Sequence, residues 1–170
     1  DDVVGTAEEQ IGRYRELADA GVKEVFVALH EAGMGEQIER LAQFVAETQW
    51  DEIPVSVQQH AKLVLLDTLG VILAGAEQPE VQQLRARLLT TTGTGATVLA
   101  RGWASSDPRT AALLNGIAGR SIELCEGHRY VPCQGAVQIV PGVLAAAEGA
   151  QCTGRDMLIA LIVGYDVAVR

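Results

Sequence analysis

The chain has 170 residues and a formal net charge of −9, and apolar residues make up 48% of it while aromatic residues make up only 4%. An acidic chain without clustered Lys and Arg cannot neutralise phosphates, so we expect no nucleic-acid partner. The three cysteines form no C-x-x-C pair of the kind that holds zinc. The sequence shows neither a signal peptide nor an apolar stretch long enough to span a membrane, so we expect a cytoplasmic protein with no membrane partner.

The first 33 residues predict one helix followed by one strand. Thr6 and Glu9 fit the two ends of a capping box, and Gly21 can end the helix in the left-handed conformation. The β-branched residues of the run 23–29 then predict a strand. This segment is similar to the last αβ step of luciferase-like flavin-dependent oxidoreductases, which implies a flavin enzyme as one alternative. We expect it to be a fusion or a mis-predicted extension, with Met34 as the true start.

The next part of the chain predicts a helical bundle. Apolar residues at helical spacing predict a helix over residues 36–49. A second helix is predicted over residues 57–74, with Ser56 as its N-cap. This helix is apolar on nearly all sides, so it belongs in the centre of a bundle. Asp67 within it is therefore expected to be a buried acid that needs a partner.

Start and stop signals place the remaining elements. A helix is predicted over residues 79–89 and a short extended segment over residues 96–101. Asp107, followed by proline, is a strong signal for the N-terminus of a helix. Two more apolar helices are predicted, one over residues 136–148 and one that Thr153 to Asp156 start and that continues to the last residue. We therefore expect a mainly α fold.

Nearly all chemically useful side chains lie in one segment, residues 120–130. The spacing of Arg120, Glu123 and Glu126 would place them near one another on a helix surface, and Gly127 would let that helix end. Acids and a histidine at such a position can remove a carbon-bound proton and protonate a leaving hydroxyl, while an arginine can bind a substrate carboxylate through two hydrogen bonds. The candidate catalytic residues are Glu123, Glu126 and His128, and the candidate substrate-binding residues are Arg120, Arg129 and Tyr130.

A simpler alternative stays open for the same segment. Arg120 and Glu123 can form a solvated ion pair, and His128 can be an ordinary loop histidine. Spacing alone favours this alternative, because the segment carries neither a metal-binding nor a glycine-rich signature. We also expect no metal ion and no organic cofactor.

Six blocks of sequence follow one another from about Gln37 to Arg170. They are LAQFVAETQWDEIP, AKLVLLDTLGVILAGA, ATVLARG, AALLNGIAGRSIELCEGH, GAVQIVPGVLAAAE and TGRDMLIALIVGYDVAVR. Together they resemble the MmgE/PrpD family, whose members include 2-methylcitrate dehydratase and cis-aconitate decarboxylase. The resemblance implies an all-helical domain followed by a smaller α/β domain, and usually a homodimer. It also implies that residues 34–170 are only the front of the helical domain and are inactive alone.

The candidate segment departs from the pattern usual in this family. Asn115, followed by glycine, matches the family's Asn-Gly step. Arg120 stands where a histidine is common, and Glu123 and Glu126 stand in place of aspartates. Residues 132–134, Pro-Cys-Gln, stand where the family usually has His-Pro, so that histidine has no counterpart there.

The resemblance implies a cofactor-independent lyase of the 2-methylcitrate dehydratase type, which dehydrates a small di- or tricarboxylate by acid–base catalysis. One alternative is an isomerase, epimerase or decarboxylase that acts on a related carboxylate through the same carbanion-like state. Another alternative is a non-enzymatic helical module whose apolar helices serve oligomerisation.

Overall fold

The computed structural model describes residues 34–89, 95–128 and 131–169. Within them the fold is mainly α, as predicted, with a small two-stranded sheet. The chain divides into two compact units, Asp1–Glu47 with Arg170 and Thr48–Val169. The helices are α1 Met34–Glu47, α2 Val55–Gly75, α3 Pro79–Leu88, α4 Pro108–Arg120, α5 Gly135–Ala150 and α6 Gly154–Val169, and the strands are β1 Ala96–Val98 and β2 Ala104–Ser106.

The described part of the first unit is helix α1. The helix predicted over residues 36–49 is confirmed and begins and ends two residues earlier. Near its C-terminal end, the side-chain amide of Gln43 donates a hydrogen bond to Glu47 Oε1 over 3.0 Å. The helix and strand predicted for the first 33 residues lie outside the described residues.

The second unit is organised around α4, which packs against α2 on one side and α5 on another. One face of α4 consists of small and apolar residues and Asn115. The buried residues of that helix are Ala111, Leu114, Asn115, Ala118 and Gly119. Two glycines let the helices approach closely: a Cβ atom on Gly75 would lie 1.8 Å from the carbonyl oxygen of Ala118, and one on Gly119 would lie 2.5 Å from Val137 Cγ2. The C-terminal end of α4 is therefore fixed between α2 and α5.

The two short strands form an antiparallel hairpin in which Ala96 pairs with Ser106 and Val98 with Ala104. The extended segment predicted over residues 96–101 is thus confirmed over its first part. The inward side of the hairpin packs on α4 and α5.

Asn115 connects the hairpin to α4. Its side chain is almost completely buried, with 1% of the residue exposed. Its Oδ1 accepts a hydrogen bond from the Leu99 amide over 2.8 Å, and its Nδ2 donates one to the Thr97 carbonyl over 2.9 Å. One amide side chain therefore satisfies a backbone donor and a backbone acceptor of the strand region, which gives the asparagine of the Asn-Gly step a structural role.

Helix α2 differs from its prediction in two ways. It begins at Val55 with Pro54 in the N-cap position, so Ser56 lies within the first turn and the predicted cap is wrong. Asp67 is exposed, because the side of α2 that carries it, together with Leu66, faces outward; Leu66 itself is 68% exposed. The prediction of a buried acid is therefore wrong.

In the described part of the chain, no single helix combines the length and the apolar content needed to cross a membrane. Helices α2 and α3 meet that criterion only as a pair, and the pair is bent by 87°.

The predicted start signals of α4 and α6 are confirmed. Asp107 Oδ1 accepts hydrogen bonds from the amides of Arg109 and Thr110, each over 3.1 Å, and so caps α4. Before α6, Thr153 and Asp156 each bind the other's backbone amide, over 3.2 and 3.0 Å. Both helices therefore begin where their side chains satisfy first-turn amides.

Candidate active site

Helix α4 ends at Arg120, seven residues before Gly127, where the sequence predicted its end. The hydroxyl of Ser121 lies 2.7 Å from the Ala118 carbonyl and 3.2 Å from the Gly75 carbonyl, and it can donate its one hydrogen to either. Two residues later the backbone of Glu123 turns into the left-handed region, with φ of 54°. A non-glycine residue in that region interrupts helical geometry, so the chain leaves α4 as an irregular loop.

The prediction that Arg120, Glu123 and Glu126 share a helix surface that Gly127 ends is therefore wrong. Arg120 and Glu123 nevertheless form an ion pair across the turn, with Nη2 2.9 Å from Oε1 and with 39% and 71% of their side chains exposed. Arg120 Nη1 also donates to Cys125 Sγ over 2.9 Å. This hydrogen bond is the main cause that raises the pKa of Arg120 above its usual value, and Glu123 adds to the effect. The pair matches the simpler alternative of a solvated contact.

Glu126 is held at the N-terminal end of α5. Its Oε1 accepts a hydrogen bond from the amide of Ala136 over 2.6 Å. Amides in the first turn of a helix have no partner within the helix and carry partial positive charge, so they favour a carboxylate at this place. The second oxygen, Oε2, is buried and has no hydrogen-bond partner among the described residues. One oxygen of the carboxylate is thus fixed while the other can accept a proton or a ligand.

His128 lies at the same end of α5. Its amide donates to the carbonyl of Cys133 over 2.9 Å, which closes the loop just before the helix. The centroid of its ring lies 6.3 Å from that of Tyr165 on α6, with the two ring planes tilted by 58°. The Tyr165 ring in turn lies against Gly135, the first residue of α5. We call Glu126, His128 and Tyr165 the α5 cluster.

The structure thus divides the six predicted site residues. Glu126 and His128 come to one helix end, whereas Arg120 and Glu123 pair with each other at the end of α4. Arg129 and Tyr130 lie outside the described residues. Sequence reasoning missed Tyr165, which is far from the candidate segment along the chain; its only signal was an aromatic residue next to a glycine in an otherwise aliphatic helix.

A cavity of about 960 Å³ lies between α3, α4 and α5. Its walls are largely apolar, with Leu113 and Ile117 of α4 both exposed in it. Of the predicted site residues, Arg120 lines this cavity, and Glu123, Glu126 and His128 do not. In the ranges that the structure describes, no three His, Cys, Asp or Glu side chains are grouped as metal ligands would be.

Comparison with known proteins agrees with the family resemblance. Residues 39–170 match the MmgE/PrpD N-terminal domain. The cis-aconitate decarboxylase-like protein oryM of Aspergillus oryzae is 30% identical over 137 residues, which are 76% of this chain and 28% of that protein. The cis-aconitate decarboxylase of Aspergillus terreus is 28% identical over 125 residues, 71% of this chain and 26% of that protein.

The chain therefore spans little more than a quarter of the length of these relatives. No solved structure matches it significantly. Because the match to the domain covers far more than half of the residues and is contiguous, the chain belongs to the MmgE/PrpD family.

Proposed function

We propose that this chain supplies acid–base groups to a lyase that dehydrates a small di- or tricarboxylate. The observation that carries the proposal is the geometry of Glu126, whose Oε1 is fixed by the start of α5 while Oε2 is buried without a partner among the described residues. A carboxylate held in this way is oriented before substrate arrives, which is what proton transfer requires. Membership of a family that includes lyases supports the same conclusion.

In the proposed dehydration, Glu126 Oε2 accepts the proton from the carbon next to a substrate carboxylate. The electron pair of that C–H bond forms the new C=C bond as the C–O bond to the hydroxyl breaks. His128, in its protonated form, gives its proton to the departing hydroxyl, which leaves as water. The roles of Arg120, Arg129 and Tyr130 in binding substrate carboxylates and of Glu123 in proton transfer stay predictions.

Decarboxylation is the second candidate, and the names of both curated relatives favour it. Here the C–C bond to a carboxylate breaks, CO₂ leaves, and the electron pair stays on carbon. A protonated side chain of the α5 cluster then protonates that carbon. The two reactions need the same kind of groups and differ in whether water or CO₂ is released.

The test compares the chain with the longest product of the reading frame that contains it. Each is incubated with 2-methylcitrate and with cis-aconitate, without added metal, and the products are identified by mass spectrometry. We expect Glu126→Gln and His128→Gln to lower kcat by about 10²–10⁴-fold, the usual range for loss of a general acid or base. His60→Gln serves as the control, because His60 is exposed and lies outside the candidate site, and Glu123→Gln tests whether the exposed Glu123 takes part as well.

Equal effects of Glu123→Gln and Glu126→Gln would contradict the assignment. Activity that a chelator abolishes and iron or zinc restores would contradict the cofactor-independent mechanism. A stable multimer that neither turns over nor binds either carboxylate would favour the oligomerisation module instead. The predicted homodimer remains a proposal that light scattering on the same samples tests.

A further inference from the structure

The first observation is the space that Gly135 leaves for Tyr165. A Cβ atom on Gly135 would lie 3.0 Å from Tyr165 Cε2 and 3.2 Å from Cδ2, tighter than nine in ten real Cβ contacts. The tyrosine ring therefore lies so close to the start of α5 that a side chain at position 135 would require the ring to shift by a few tenths of an ångström. Glycine at this position is what allows α6 to bring an aromatic ring to the end of α5.

The second observation is that the ring is held firmly. Tyr165 packs against a buried cluster made of Ala61, Ala136, Val140, Leu158 and Leu161. One residue earlier, a Cβ atom on Gly164 would lie 3.1 Å from Ile139 Cγ2, so α5 and α6 are in close contact beside the ring as well. A ring fixed by two helices and a packed core has little freedom to move.

The third observation concerns His128. Its main chain is fixed by the hydrogen bond to Cys133, but it lies in the irregular loop between α4 and α5. Its ring lies 6.3 Å from the Tyr165 ring, within the range at which aromatic rings attract one another in tilted arrangements. The tyrosine of this pair is thus held by two helices, whereas the histidine lies in the loop between α4 and α5.

From these contacts we infer that Tyr165 is a positioning residue, whose ring holds the imidazole of His128 at the N-terminal end of α5 beside Glu126. The catalytic consequence of this inference rests on the function proposed above. The inference concerns the ring and not the hydroxyl group, so phenylalanine should replace tyrosine at this position and an aliphatic residue should not.

The contact is tested in the chain itself, without any need for activity. The protein is labelled with ¹³C at histidine Cε1, and the resonances of its three histidines are assigned with His128→Gln. We expect Tyr165→Leu to move the His128 resonance and to leave those of His30 and His60 unchanged, because the ring current and the orientation of the imidazole both change. Tyr165→Phe should keep the original resonance, and Gly135→Ala should reproduce the effect of Tyr165→Leu by displacing the ring.

Ile162→Ala is the matched structural control. Ile162 lies on the same helix and packs against the same buried cluster. If Tyr165 matters only for packing, Ile162→Ala and Tyr165→Leu will disturb His128 alike, and that result would overturn the inference. An unchanged His128 resonance in a folded Tyr165→Leu variant would overturn it too.

In the active product of the reading frame, we expect Tyr165→Leu to lower kcat about 10–100-fold with little change in KM, the loss that misplacement of a catalytic group by about 1 Å produces. Tyr165→Phe should stay within about threefold of the parent protein, a change of no more than about 0.65 kcal/mol in the barrier. Full activity of His128→Gln would refute the proposed function and the catalytic consequence, whereas the NMR comparison would still decide the contact.

Discussion

Replacing Asn115 by alanine removes the side chain that joins the hairpin to α4. The amide of Leu99 and the carbonyl of Thr97 would both lose their partner. Leu99 is only 6% exposed, so water cannot readily replace the lost bond to its amide. The same substitution also leaves a small cavity at a position of 1% exposure.

The expected cost follows from these contacts. A buried backbone group left without a partner costs about 1–3 kcal/mol. The Thr97 carbonyl belongs to a half-buried residue and can recover part of its loss from water, so we expect Asn115→Ala to lower the free energy of unfolding by about 2–4 kcal/mol. That is a large part of the stability of an ordinary domain, which is about 5–15 kcal/mol.

Urea denaturation followed by circular dichroism at equilibrium measures this change. Thr68→Val is the matched control, because Thr68 is also a buried polar residue, at 3% exposure, but its hydroxyl only donates to the Val64 carbonyl of its own helix. We expect the control to cost less than about 1.5 kcal/mol, the net value of one ordinary hydrogen bond. If Asn115→Ala costs no more than Thr68→Val, the bonds from Asn115 do not hold the hairpin and the reasoning fails.

Three further perturbations test other contacts. Gly75→Ala should lower the free energy of unfolding by about 1–3 kcal/mol or more, because the new Cβ would meet the backbone of Ala118. Gly70→Ala, with no atom within 4 Å of the new Cβ, should be neutral or raise that free energy by up to about 1 kcal/mol, and similar urea midpoints for the two variants would contradict the close approach of α2 and α4. Hydrogen bonds to Thr110, foremost that of its side chain, lower the pKa of Asp107 below its usual value of 3.8, so the stability that Asp107 contributes is fully present above pH 3.8 and is lost as the pH falls through the lower pKa of the folded state. In thermal melts at acid pH, Asp107→Asn should lose less stability over this range than the parent protein does, and an equal loss would refute this. Glu123→Gln should leave the melting temperature unchanged because the side chain is 71% exposed, and a clear drop would show that the ion pair holds the loop.

Helices were predictable from the sequence because their signals are local. The apolar spacing of α1 and the caps at Asp107 and Thr153 depend on residues within a few positions of one another, and the structure confirms all three. The errors in α2 have a different origin. Its composition predicted burial on every side, but whether a given side is covered depends on which other elements pack there, and Asp67 lies on a side that is exposed.

The candidate site was predicted only in part, for the same reason. All the candidate residues were taken from one segment, and their grouping was derived from helical spacing that ends at Arg120. The end of α4 is set by tertiary contacts: Gly75 of α2 lies against Ala118, and the hydroxyl of Ser121 reaches carbonyls of both helices. No sequence pattern within the segment indicates those contacts, and none indicates that α6 brings Tyr165 to His128.

The partial charges of the helix ends explain why Glu123 and Glu126 lie at different places after the end of α4. The loop after Arg120 runs from the C-terminal end of one helix, which favours a cation, to the N-terminal end of the next, which favours an anion. Glu123, close to the first end, pairs with the arginine there, and Glu126, farther along, reaches the free amide of Ala136. The Glu123 side chain is 71% exposed beside that arginine, whereas Glu126, held through Oε1 by a helix end, keeps Oε2 buried without a hydrogen-bond partner among the described residues. The two helix ends therefore distinguish two residues that the sequence presents as equivalent, and this difference is why we propose proton transfer by Glu126.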